Sequence, residues 1–574
     1  MGAVLALSWN EPSSAAVGRS IAVAAARNGF TPLSVTEAGW LGVGGPRAPA
    51  LHDLKGGLTV LGDLFETPHA GFIGLGWRLD RLKAVTRCRW GRYLALDRDK
   101  DGSLRAVLRD PSGAMEVVTW MSSGVRIVST GTPDWLMAAA PAPVAIDWDG
   151  VPALLMSPLA GLAQPPLRGL TVLNAGEVID FDTGLREQVW RPVTADRVEI
   201  WDVRIAREGL RDRVETVVGC LAAQIGRPGA ELSGGLDSAI IAVALGQGRK
   251  RVKLWLNAYS ARAETDERRY ARAVAAHLGL SFSPQQRIEQ ALESGVLDQT
   301  AGDVRPGYNG ADPVFDALVA DACETHGVDG LFTGKGGDAL FYQGASAAVF
   351  GDLLQARGPW ALMSPMLAGV ARWTRRSMAS VVKEAWSDQP VTPVGERVGI
   401  LTAPSEGWVQ SSHPWLDGAE TLPRGKRLQL HALISNLTYA TACRRTSVVD
   451  LIHPLMAQPL VEWAMKLPTP ILTAGVTDRH LARSAFADSL PPDVVWRRSK
   501  GDYTATFERE AAASLPFLRA HLLDGLLARH GVIDRVRTEA LLDRDRLMWG
   551  GGSHHLTSAA VVESWLRRWR GRRA

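Results

Sequence analysis

Along the first 200 residues, apolar and polar positions alternate in short stretches such as RYLALD (92–97) and SLRAVLRD (103–110). Turn clusters, DRDKDGS, DPSG and NAGE, separate them. A period of two marks strands, and frequent turns between such strands predict hairpins and a β-sandwich. One turn carries Asp97, Asp99, Asp101 and Gly102 at calcium-loop spacing. A calcium loop needs a bidentate Glu at its twelfth position, where Leu108 stands, and its flanks should be helices. The segment is therefore predicted as a hairpin turn.

Near residue 200 the period changes. REGLRDRVETVVGCLAAQIG places Leu210, Val214, Val217, Val218, Leu221 and Ile225 on one helical stripe. GRPG stops that helix, and AELS predicts a short strand. DSAIIAVALG then reads as a helix, KRVKLWLNAYS as a strand, ETDERRYARAVAAHLG as a helix and VDGLFTG as a strand. Such alternation predicts a parallel sheet covered by helices on both faces. Beyond residue 350 the pattern is mostly helical, punctuated by proline and tryptophan. The predicted division is residues 1–200 and 201–574.

Composition narrows the picture only a little. With 574 residues, 46% apolar and 22% charged, the chain reads as a soluble globular protein of two or three domains. No apolar run approaches the roughly 18 residues of a membrane span. The leading MGAVLALSWN lacks the basic flank of a signal peptide. Four scattered cysteines, Cys88, Cys220, Cys323 and Cys443, fit a reducing compartment, the cytoplasm, and argue against a disulfide framework or zinc site. A net charge of +4 gives no sign of a nucleic-acid binder. The basic end, WLRRWRGRRA, reads as a solvated tail after an amphipathic helix.

The chemistry gathers at two glycine turns, both at predicted strand ends, where sheets of this kind bind ligands. In the first, Ser233, Gly234, Gly235, Leu236, Asp237 and Ser238 form SGGLDS. Its glycines let backbone N–H groups approach phosphate oxygens, and the following helix aims its positive end at the same anion. Asp237 would repel a phosphate unless a cation such as Mg²⁺ bridged them. Neither a Walker A loop nor a dinucleotide GxGxxG is present. The second turn, GKGGD, holds Gly334, Lys335, Gly336, Gly337 and Asp338, whose carboxylate could join Asp237 at the magnesium.

SGGLDS resembles the pyrophosphate-binding loop of the ATP-pyrophosphatase superfamily, which splits ATP between its α and β phosphates. SLPPDVVWRRSKGDY (489–503) resembles the segment carrying the catalytic lysine in the asparagine synthetase family, with Lys500 at that lysine. GVTDRHLARSAF resembles the same family's K-x-x-L-R-x-A helix, with Arg483 at the arginine. The resemblance spans nearly the whole chain. RCRWGRYLALDRDKDGSLRAVLRDPSG is similar to the family's N-terminal glutaminase domain, and HHLTSAAVVESWLRRW to its closing helix. It implies an α+β, glutaminase-like (Ntn-type) β-sandwich followed by an α/β ATP-pyrophosphatase (adenine nucleotide alpha hydrolase-like) domain with a parallel sheet and helical extension. It also implies ATP and Mg²⁺, with Lys500 meeting the charge that develops on an acyl-adenylate.

Two departures matter. Glutamine hydrolysis in this family needs a cysteine directly after the initiator methionine, and here residue 2 is glycine. The N-terminal domain should make no ammonia, so the amine must come from the substrate. Two kinds of relative work this way: the β-lactam synthetases, and the lasso peptide cyclases, which join a peptide's N-terminal amine to an Asp or Glu side chain. The vestigial N-terminal domain and diverged C-terminal half are more similar to the lasso cyclases. By that resemblance the partners are a precursor peptide, a leader peptidase and a leader-binding protein, with no nucleic acid or membrane. A catalytically dead peptide scaffold and a tRNA-modifying relative are the readings from other classes. The second departure is Lys335, where asparagine synthetases have a glutamate, a candidate base, and β-lactam synthetases a tyrosine. Lys335 could act as a base if neutral, or hold pyrophosphate or the substrate carboxylate.

Overall fold

Strand Ala3–Trp9 buries both of its faces, because alternate residues serve different cores. Val4 and Ala6 point into an apolar layer shared with Leu61, Leu94, Leu96 and Val107 of another sheet, while Leu5 and Leu7 face outward onto helices. The two sheets are antiparallel and six-stranded. One centres on Ala3–Trp9, the other on Arg89–Arg98 and Leu104–Arg109. Helix Arg78–Cys88 covers the second with Leu82 and Val85, so the order of layers is helix, sheet, sheet, helix. In this computed structural model the description covers residues 2–54, 57–67, 78–156, 158–194, 198–248, 250–299, 301–386, 399–402, 413–474, 477–497, 501 and 503–572.

The outer helix of the first sheet, Pro12–Arg27, was not legible as a break in the strand pattern. Its buried stripe is made mostly of small residues, Ser14, Ala15, Gly18 and Ala25, with Ile21 as its one large apolar side chain. A Cβ on Gly18 would overlap the Trp9 ring, so the small residue there is what allows the helix to lie flat. The acidic turn Asp97–Gly102 is a hairpin between strands Arg89–Arg98 and Leu104–Arg109, as the sequence predicts. Asp97 is taken by Arg81 at 2.5 Å, Asp99 by Arg105 at 2.6 Å, and Asp101 accepts from Ser103 N at 2.9 Å.

The second half is built on five parallel strands in the order Ser283–Gln286, Leu254–Tyr259, Pro228–Glu231, Gly330–Phe332 and Asp450–Ile452. The chain moves outward from Pro228–Glu231 in one direction, then returns to its other side with Gly330–Phe332. That reversal leaves a crevice at the carboxyl ends of the two central strands. Helix Val203–Ala223 buries the predicted stripe from Leu210 to Leu221, and helices Leu236–Gly246 and Arg268–Leu278 fall where the periodicity placed them.

The two halves share cores. Leu556, Trp565 and Trp569 of helix Ser553–Gly571 pack in one cluster with Leu5, Leu7 and Trp9. The basic end is therefore not a solvated tail. Arg572 pairs with Asp134 at 2.6 Å, and Arg568 donates to the Gly302 carbonyl at 2.6 Å. Among the described residues no helix is long and apolar enough to cross a membrane.

Candidate functional site

The two glycine turns leave adjacent strands and lie against one another. A Cβ on Gly334 would stand 2.6 Å from Ser238 N, and one on Gly337 would overlap the Asp237 carboxyl. Gly234 has φ +90° and no room beside the Glu267 carbonyl, 2.8 Å from where its Cβ would be. These glycines are needed for packing of turn on turn and turn on helix. Gly235 differs: its Cβ position is open apart from Ser233 Oγ at 3.4 Å. It is Gly235, the N-cap of helix Leu236–Gly246, that presents bare backbone to the cleft. Ser233 and Ser238 brace the turn, with their hydroxyls 2.9 Å apart and Gly235 N donating to Ser233 Oγ at 3.2 Å.

Both turns open on a cleft of about 880 Å³. Ser233, Gly235, Leu236, Asp237, Ser238, Gly334, Lys335, Gly336 and Asp338 line it; Gly234 and Gly337 lie behind. Asp237 and Asp338 converge on a single atom, Arg479 Nη1, at 3.1 and 2.7 Å. Arg479 was missed in the sequence. It sits one helical turn before Arg483 in the same TDRHLAR stretch, and that spacing was the signal that could have found it. Burial disfavours its charge, but Asp237 and Asp338 outweigh this and hold the guanidinium above the usual arginine range. Its backbone is left-handed, φ 53°, and its N–H donates to the carbonyl of Tyr342, itself at φ 66°. Two strained residues thus hold the guanidinium on the carboxylates.

Two carboxylates that already converge on one cation fit Mg²⁺ held jointly with phosphate oxygens. Among the described residues no group of three or more His, Cys, Asp or Glu side chains could hold a metal alone, so phosphate would have to complete the shell.

Arg483 lies deeper. It donates to the Asp478 carboxylate at 2.9 and 3.0 Å and to the Val495 carbonyl, which ties the Arg479 helix to the segment leading toward Lys500. Lys500 itself lies outside the described residues. On either side of it, Arg497 and Gly501 both donate to Glu267 Oε1, at 2.5 and 2.6 Å, on the rim of the cleft.

Lys335 is half-buried with its ammonium over the Tyr439 ring, 4.2 Å from the centroid. Burial, then the charge of Arg445, brings its pKa down to about 8. Behind it, Thr333 Oγ1 meets His453 Nδ1 at 2.7 Å, and burial together with Lys335 pushes His453 down to about 3, a neutral imidazole. Tyr439 and Asn436 also wall a larger cavity of about 1260 Å³ between the two halves, lined by Gly2, Trp90 and Met115 on one side and Val304, Leu437 and Met456 on the other. Asn436 Nδ2, on the wall between the cavities, has no hydrogen-bond partner.

A helix start with bare turn backbone, beside paired carboxylates and a half-buried lysine, suits the phosphates of a nucleotide. The comparison with known families agrees: a family model described as asparagine synthase matches residues 209–569, well over half of the chain. No curated protein matches the chain.

Proposed function

The chain belongs to the asparagine synthase family, an ATP-dependent, amide-bond-forming one, and from that premise we propose that it closes a peptide macrolactam. A side-chain carboxylate of Asp or Glu is adenylated at the cleft, and the N-terminal amine of the same leader-processed peptide displaces AMP. Gly235 and the start of helix Leu236–Gly246 would cradle phosphate, and Asp237 and Asp338 would hold Mg²⁺, which would offset the charge of the phosphates. Lys335 and Lys500 supply positive charge near the reacting carbonyl. The precursor peptide, a leader peptidase and a leader-binding protein are the partners of this reading, in the cytoplasm.

One observation carries it. A Cβ on Gly2 would overlap the Arg47 carbonyl oxygen and stand 2.6 Å from Pro49 Cδ. A nucleophilic side chain at residue 2 would meet this backbone, which supports the reading that the amine arrives on the substrate rather than as ammonia made there. Holding amine and adenylate in one molecule also gives the reaction its drive, with effective molarities of roughly 10⁵ M and above for well-oriented partners.

The test is made with ATP, Mg²⁺, the precursor peptide and its leader-processing partners. AMP and pyrophosphate should appear, with a product one water lighter than the leader-free peptide and blocked at its N-terminus. Asp237→Asn should abolish both, and glutamine should yield no glutamate. ADP as product would refute adenylation. Only linear peptide would leave the β-lactam synthetase-like ligase of a small molecule as the reading.

A further inference from the structure

Glu231 ends the central strand Pro228–Glu231, next to an apolar core residue, Ala230, and lines the nucleotide cleft with Lys335. Its side chain is 16% exposed, yet Oε1 is closed off from solvent and has no hydrogen-bond partner. The nearest cation is Arg445 Nη1, 3.9 Å away, too far for a hydrogen bond and itself without a partner. Arg445 is already committed elsewhere: its Nε donates to Asp316 Oδ1 at 2.6 Å and its Nη2 to the Asn309 carbonyl at 2.8 Å. A carboxylate with one oxygen buried and unpaired is costly, and an apolar side chain at that strand end would avoid the cost. Lys335, whose ammonium feels the Glu231 charge, occupies the position at which the asparagine synthetases carry a glutamate, their candidate base.

We propose that Glu231 is the catalytic residue that takes the proton of the attacking amine. The assignment rests on the ligase reading above. The neutral amine nitrogen adds to the acyl-adenylate carbonyl, and the new C–N bond leaves a proton in excess on nitrogen. That proton passes to the Glu231 carboxylate, whose exposed edge lines the cleft, as the carbonyl re-forms and the C–O bond to AMP breaks. Glu231 then returns the proton to solvent. Lys335 keeps its proton and supplies positive charge rather than a base. The carboxylate absent from the second turn is thus supplied by the strand beneath the first.

Glu231→Gln keeps size and removes the acceptor. The probe is a panel of synthetic peptides, each with a free N-terminal amine and one Asp or Glu at successive positions, given with ATP and Mg²⁺. Wild-type protein should show peptide-dependent ATP–pyrophosphate exchange and cyclic product. In Glu231→Gln, exchange and the KM for ATP should stay within about threefold, while product formation falls roughly 10²- to 10⁴-fold, the range of general-base catalysis. Glu231→Asp should recover part of that loss. Wild-type product rates in Glu231→Gln would overturn the role. So would exchange and product falling together, since Glu231 would then serve nucleotide binding or the fold. Wild-type protein that exchanges pyrophosphate with no peptide would overturn the peptide-ligase reading itself, and this role with it.

Discussion

At the scale of single residues, Lys335 shows how burial writes chemistry into a side chain. Its pKa falls from the usual 10.5 to about 8, first through desolvation and then through Arg445. The folded state therefore disfavours the charged form. Its cost to stability is full below pH 8, where folded and unfolded chains are both protonated, and fades between 8 and 10.5 as only the unfolded chain keeps the proton. Lys335→Met should stabilise the protein at pH 7 by roughly 1–3 kcal/mol, allowing for partial exposure. In urea melts across pH that gain should vanish toward 10.5; a gain independent of pH would mean that the shift is not the cause. Lys335, Asp237 and Asp338 were legible because their motifs are local. Arg479 offered only its four-residue spacing from Arg483, and Glu231 no signal at all, since a shared atom or an oxygen without a hydrogen bond exists only once strands and helices meet.

Elements tell a second story about the glycines. In the sequence each glycine of SGGLDS and GKGGD invites one explanation, the close approach of phosphate. Packing separates them: Gly334 and Gly337 admit the neighbouring turn, Gly234 admits a helix start, and Gly235 faces the cleft with open space at its Cβ position. The substitutions should separate likewise. Gly334→Ala drives a methyl onto Ser238 N, so it should cost about 1–3 kcal/mol of stability, as overpacking does, and also disrupt nucleotide use. Gly235→Ala should leave the melting temperature within a degree or two while weakening ATP binding measured by calorimetry. Equal melting losses in both would mean that the glycines share one role. The three central strands of the second half and the helices between them were readable from their apolar patterns, whereas the outer strands Ser283–Gln286 and Asp450–Ile452 were not predicted. Helix Pro12–Arg27 was not legible because its buried stripe, Ile21 apart, is alanine, glycine and serine, which carry little hydrophobic signal.

For the whole molecule, the seam between halves is charged as well as apolar. Arg47 and Arg92 each bind both Asp63, of the sandwich, and Asp450, on the outer strand Asp450–Ile452, with Arg47 Nη1 and Arg92 Nη2 at 2.7 and 2.9 Å from Asp450. Burial alone would raise the Asp450 carboxyl, but Arg92 and its neighbours hold it well below the usual range. Asp450→Asn leaves the buried Arg92 and the half-buried Arg47 to one carboxylate and should cost about 3–5 kcal/mol. A depressed pKa contributes stability above the unfolded value and loses it as pH falls through the folded one. The gap between wild type and variant should therefore close below about pH 4, read by chemical melts. No sequence pattern joins residues 47, 63, 92 and 450; only the docking of the halves does. The same seam bears on residue 2. The Arg47 carbonyl occupies the space a residue 2 side chain would need, so a single codon change to cysteine would meet backbone. A side chain there would require the 47–49 segment to move first, and Arg47 is pinned by two carboxylates from opposite halves. Room at residue 2 could thus be opened only by loosening the clamp that joins the two halves.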